Sequence, residues 1–290
     1  METNSKIIHL VYCPFSGVGL IGYRGDVWFA ERIEIFKRYT LQSLLKQTNR
    51  NFVLWLSFRP EEENNYLTQK LSEYLKEVEM PYIFTFHGLM YWDDKFNNDI
   101  KSKIMNAGRI VRRCWRSGAW SELILSIKEL LIDKNSTLYQ RIAKSINIFP
   151  RHWLFSELVY LTRIDSDDMF HHGAVEIIQS TYPETSALTC GKGLVYNTTT
   201  EEVAEWNPPT NPPFHTIIFK TEVFFDIERH LEHYKDFKSH EDVPRIFGST
   251  LLPDYMYCVT THNPKNQIST VWNHPFRGII VDTDLIHNFI

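Results

Sequence analysis

The tetrapeptide Asp165-Ser166-Asp167-Asp168 sets three carboxylates within four residues, at the end of the apolar run LVYLTRI. Charges so crowded repel one another, so water, backbone amides or a bound cation must offset them. Alternate side chains at a strand end can face one cavity, and their oxygens suit a hard divalent ion such as Mg²⁺ or Mn²⁺. Such an ion shares its coordination with phosphate oxygens, so a nucleotide diphosphate is the natural ligand. The competing account is a solvated turn whose aspartates cap a helix beginning near Gly173.

Two further stretches bear on the choice. KSHEDVPRIFG places Glu241 and Asp242 at a helix start, and TTHNPKNQIST supplies His262 on the next extended segment. Together with Asp167 they complete a site in which Asp242 is the general base and His262 a metal ligand. Taken alone, acids at a helix N-terminus are ordinary dipole partners, and a single histidine after a strand is an ordinary surface residue. Arg163 either adds positive charge at the leaving diphosphate or pairs with one of the aspartates; both readings stay open. His230 and His233 in RHLEH lack a further ligand and read as a solvated helix face.

The elements that must position these residues follow from periodicity. IIHLVYC is a short β-rich run, FVLWLSF a second strand and YIFTF a third. Between them, RIEIFKRYTLQSLLKQ repeats Ile33, Phe36, Thr40 and Leu44 at helical spacing. PEEENNYLTQKLSEYLKEV starts with Pro60 and acids, as a helix N-terminus prefers. This alternation predicts a parallel sheet with helices on its faces. Right-handed crossovers then gather the loops at the strands' carboxyl ends, where open α/β sheets bind ligands. ELVYLTRI should be another buried strand, which sets the acidic cluster on that edge. Residues 97–150 interrupt the alternation and read as a helical insertion within a single domain spanning 1–290. Its segment 99–116 has an apolar stripe and six cations, suited either to an anionic membrane surface or to packing with solvated charges.

Composition narrows the classes. The chain has 290 residues and a net charge of −4, which gives no reason to expect nucleic-acid binding. Its four cysteines form no CxxC pair and read as reduced thiols. KIIHLVY is better explained as a strand than as a secretion signal, and no apolar stretch is long enough for a membrane span, so a cytoplasmic location is expected. The aromatic load is heavy, and Trp92, Trp206 and Phe214 are candidate sugar-stacking platforms against a background of core packing.

RIEIFKRYTLQSLLKQTNRNFVLWLSF followed by LTRIDSDDMFH resembles the rhamnosyltransferase group within the GT-A class of nucleotide-sugar glycosyltransferases, a resemblance that extends loosely through SHEDV and THNPKNQIST. It implies a GT-A-like fold and metal-dependent, inverting transfer of a sugar, with rhamnose the sugar the resemblance suggests. The donor would be a nucleotide-diphosphate sugar and the acceptor a glycan or lipid-linked. By this resemblance Asp165 contacts the ribose or the metal, and Asp167 binds the metal and diphosphate with Asp168 in support. Asp242, preceded by Glu241, deprotonates the acceptor, and His262 ligates the Mn²⁺ or Mg²⁺, with His274 competing for that place. Asp94, beside Asp93 after the third strand, contacts the base or ribose. Two rivals are a nucleotidyltransferase acting on sugar phosphates and a silent nucleotide-sugar-binding protein.

Overall fold

The computed structural model describes residues 7–15, 25–59, 62–86, 142–181, 184–234, 236–237, 239–262 and 271–290, with isolated positions between 104 and 123. The expected alternation opens the chain: β1 (Ile7–Pro14), α1 (Asp26–Arg38), α2 (Thr40–Leu45), β2 (Val53–Ser57), α3 (Tyr66–Glu77) and β3 (Tyr82–Thr85). There follow β4 (Leu158–Arg163), β5 (Met169–Phe170), α4 (Ala174–Ser180), β6 (Ala187–Thr189), β7 (Gly193–Asn197), β8 (Glu202–Trp206) and β9 (His215–Lys220). The chain closes with α5 (Thr221–Phe225), α6 (Ile227–Tyr234), α7 (Val243–Phe247), β10 (Thr250–Leu251), β11 (Tyr257–Thr261) and β12 (Arg277–Val281). Of the insertion expected at 97–150, residues 142–146 are helical, while most of the basic segment lies outside the described residues. Among the described residues no helix is long and apolar enough to cross a membrane.

The fold is mixed α/β, with a central, mostly parallel sheet flanked by helices. Seven strands run in the order β10-β6-β9-β4-β1-β2-β3, and β9 alone in that order is antiparallel to its neighbours. Period-two alternation makes this sheet bury both faces. On one side Val11, Cys13, Leu54 and Leu56 meet Phe29, Ile33 and Phe36 of α1, Leu71 and Leu75 of α3, and Ile178 of α4. On the other, Leu10, Tyr12, Trp55, Leu161 and Ile217 meet Phe149, Phe224 of α5 and Phe247 of α7.

A second sheet, in the order β12-β8-β7-β11-β5, was not expected from the sequence. The stretch ALTCGKGLVYN divides between the two sheets as β6 and β7. Two helix boundaries also differ. The first helix begins at Asp26 rather than Arg32, and it breaks at Tyr39, whose buried ring packs 5.3 Å from the His262 ring and 6.2 Å from Tyr196. The break lets Ser43 of α2 turn to the second sheet, where its Oγ accepts from the Phe170 amide at 3.2 Å. α3 starts at Tyr66, because Asn65 caps it by accepting from Leu67 N. His230 is fully buried, donating from Nδ1 to the Phe224 carbonyl and stacked on Phe219, which overturns the solvated face expected for it.

Candidate active site

β1 lies between β4 and β2, so the chain leaves β1 on one side and returns to the sheet on the other. The crevice at the carboxyl ends of β1 and β4 is therefore the topological switch point, the place where open α/β sheets bind ligands. Asp165–Asp168 occupy it as the link that carries the chain from β4 in the first sheet to β5 in the second.

The link is not a solvated turn. Asp167 and Asp168 are buried, at 3% and 4% exposure, while Asp165 is partly open. One bond closes the link on itself, and two hold it from the first sheet's side. Asp168 N donates to Asp165 O at 3.2 Å, Ser166 Oγ donates to Phe15 O at 3.3 Å, and Arg32 Nε donates to Ser166 Oγ at 2.8 Å. Arg32, itself 2% exposed, brings Nη1 to 2.9 Å from Asp167 Oδ2, an ion pair whose angle lies outside hydrogen-bond geometry. From the second sheet, Thr260 N donates to Asp168 Oδ1 at 2.9 Å and Thr260 Oγ1 donates to the Asp167 carbonyl. Arg163 Nη2 donates to Asp165 Oδ1 at 2.8 Å, so the pairing reading of Arg163 is the one seen here.

Three carboxylates thus face two guanidiniums. Burial, followed by the negative charges of Asp167 and Asp165, pushes the Asp168 carboxyl well above its usual range. A group in that state gains from one more positive charge, and a phosphate could approach it only in company with one.

The other expected site residues are scattered. His262, at the end of β11, reaches the cluster: its Nε2 lies 2.6 Å from Thr260 Oγ1 and its Nδ1 3.3 Å from Thr198 Oγ1. Burial pulls its imidazole down to about 4, so the ring is neutral, the form that ligates metals. The ring thus lies between two threonine hydroxyls, Thr260 at Nε2 and Thr198 at Nδ1. His274 lies elsewhere, edge-on to Trp206 of β8 and stacked on Phe276. Glu241 is exposed and accepts from Thr210 Oγ1 at 3.1 Å. Asp242 accepts from Ser239 N through Oδ2, in a capping box, and from Arg245 Nη2 through Oδ1 at 2.8 Å. Asp94 and Trp92 lie outside the described residues. Phe214 is fully buried and stacked on Tyr257 at 4.2 Å, and Trp206 is buried as well, so both act as core.

Arg32 and Thr260 are contacts that the sequence reading passed over. For Arg32 a signal existed: it shares the helical face of Phe29, Ile33 and Phe36, and a cation on a buried stripe needs a buried anion. For Thr260 there was none.

Does the cluster fit a divalent ion? Among the described residues no three of the His, Cys, Asp and Glu side chains converge as a metal cage. Two carboxylates fit the smaller demand of an ion that takes its remaining ligands from phosphates and water, as Mg²⁺ does. Asp167 and Asp168 are the pair that would hold it.

No family model matches the chain, and no curated protein matches it. Among solved structures it is similar to residues 1–349 of TarS from S. aureus, with a TM-score of 0.38 and 13% identity over 88% of this chain. It spans only 60% of that chain. A "putative nucleotide-diphospho-sugar transferase" from Desulfovibrio desulfuricans G20 gives a TM-score of 0.30 and 11% identity over 87% of this chain and 81% of that one. Neither likeness assigns a residue or a substrate here.

Proposed function

We propose that the protein transfers a sugar from a nucleotide-diphosphate donor to a hydroxyl acceptor, with the diphosphate seated at Asp165–Asp168. One observation carries the reading: a buried, undercompensated group of carboxylates stands at the switch point of a parallel sheet. Asp167 and Asp168 would hold a Mn²⁺ or Mg²⁺ ion, which would supply positive charge to the leaving diphosphate. Asp165, the partly open member, faces the nucleoside, and Arg163 fixes its carboxylate. The acceptor hydroxyl attacks the anomeric carbon as its bond to the diphosphate breaks, and the acceptor's proton passes to a base on the turn 239–242. A single displacement inverts the anomeric centre. The resemblance of the N-terminal unit and the acidic strand end supports rhamnose as the sugar and a glycan or lipid-linked hydroxyl as the acceptor.

The test is thermal stabilisation by a panel of UDP-, GDP-, ADP- and dTDP-sugars with and without Mn²⁺. A true donor raises the midpoint in proportion to the logarithm of its concentration, and only with the ion. Asp167→Asn should remove that rise. Absence of stabilisation by any donor with Mn²⁺ would sink the proposal.

A further inference from the structure

The turn that carries Glu241 and Asp242 also carries His240, which the sequence reading left unused. Asp242 is engaged within its own turn and helix, accepting from Ser239 N through Oδ2 and from Arg245 through Oδ1. His240 is differently held. Its Nδ1 lies 2.5 Å from the carbonyl of Asn211, and the Asn211 amide donates back to the His240 carbonyl at 2.7 Å. A carbonyl only accepts, so the ring proton sits on Nδ1 and Nε2 keeps its lone pair. Among the described residues Nε2 meets no hydrogen-bond partner. The Nδ1 bond fixes the tautomer and orients the ring, as a second group does for a histidine base, while the Asn211 amide holds the backbone.

The bonds to Asn211 tie His240 to the segment that leads into β9, next to the carboxyl end of β4. β9 runs antiparallel to β4, which sets His215 beside Arg163 at the end of β4. The charged and titratable groups that act on His240 are Arg163 from β4, Asp165 from the acidic link and Glu241 from its own turn, with His215 of β9 coupled to it. Burial first, then Arg163, pulls the His240 imidazole below its ordinary value, so it is neutral near pH 7. Asp165 and Glu241 act the other way and stabilise the cation once it forms. His215 beneath is buried and held well below its ordinary value by burial and by the charge of Arg163, so it adds no cation.

We propose that His240 is the catalytic base of the transfer and that Asp242 is a positioning residue that holds the turn bearing it. The proposal rests on the sugar-transfer reading above. As the acceptor oxygen bonds to the anomeric carbon, the bond to the diphosphate breaks and its electron pair leaves with the nucleoside diphosphate. The acceptor's proton passes to His240 Nε2, and the resulting imidazolium returns it to solvent after product release.

Two measurements test this. In protein labelled with ¹⁵N-histidine, His240 should be neutral at pH 7 with its proton on Nδ1; a proton on Nε2 overturns the proposal. In the second, release of nucleoside diphosphate is followed with the donor that stabilises the protein most. His240→Gln should lower turnover by about 10²–10⁴-fold and abolish the acidic limb of kcat/KM against pH. Stabilisation by the nucleoside diphosphate with Mn²⁺ should stay as in the wild type. Asp242→Asn should retain the limb, whatever its rate. If His240→Gln keeps the limb and Asp242→Asn loses it, His240 is not the base, while sugar transfer stands. A wild type that turns over none of the donors removes the transfer reading, and this proposal with it.

Discussion

At Asp167 and Asp168, single side chains trade stability against ligand binding. Arg32 is the buried counter-charge of Asp167, so Arg32→Ala leaves a carboxylate desolvated and unpaired and should cost about 3–5 kcal/mol. Pairing it with Asp167→Asn should recover much of that loss, as a double-mutant cycle by urea denaturation would show. Asp168 predicts the opposite sign. Its carboxyl is raised in the fold, so its contribution to stability is present below the unfolded value and lost as pH rises through the folded one. Asp168→Asn keeps an acceptor for Thr260 N and removes the repulsion. It should therefore raise the unliganded stability at pH 7 by on the order of 1 kcal/mol, while abolishing the gain from donor with Mn²⁺. The acidic cluster was legible in the sequence because three aspartates after an apolar run stand out locally. The guanidinium and the threonine that hold them were not, because they arrive from α1 and β11, far away in the chain.

Among the elements, β7 shows how tightly the second sheet is built. A Cβ at Gly193 would come within 2.4 Å of the Tyr257 ring, which is fully buried and stacked on Phe214. Gly193→Ala should destabilise the protein by roughly 1–3 kcal/mol or more, and the loss of near-UV circular dichroism from Tyr257 would report it. The β1-α1-α2-β2-α3-β3 run could be read from the sequence, because short apolar strands buried on both faces alternate with helices that bury one regular face. The second sheet could not. β5 has two residues, too few to show a period, and β7 pairs with β11 across a long stretch of chain. The break at Tyr39 was hidden for a similar reason: its cause is the tertiary contact with His262 and Tyr196, while the helical spacing runs straight through it.

For the whole molecule, the buried histidines set the acid limit of stability. Burial lowers His9 to about 3 and His230 to about 4, and His215 is held well below its ordinary 6.5. The unfolded chain therefore binds more protons than the fold as pH drops below 6.5, and stability should fall from there toward about pH 3, by several kcal/mol in all on the order expected for such shifts. Urea midpoints at pH 7 and pH 5 would measure this. His9→Gln should flatten the slope, since His9 lies in a chain through Thr162 to Thr216 that a neutral amide can join. The acidic link also joins the two sheets, and each sheet contains a buried free thiol: Cys13 in β1 and Cys258 in β11. Those sulfurs offer a clock for the seam. If the sheets part separately, an alkylating reagent should modify the two cysteines at different rates in apo protein; a donor clasped across the join should slow both and draw the rates together.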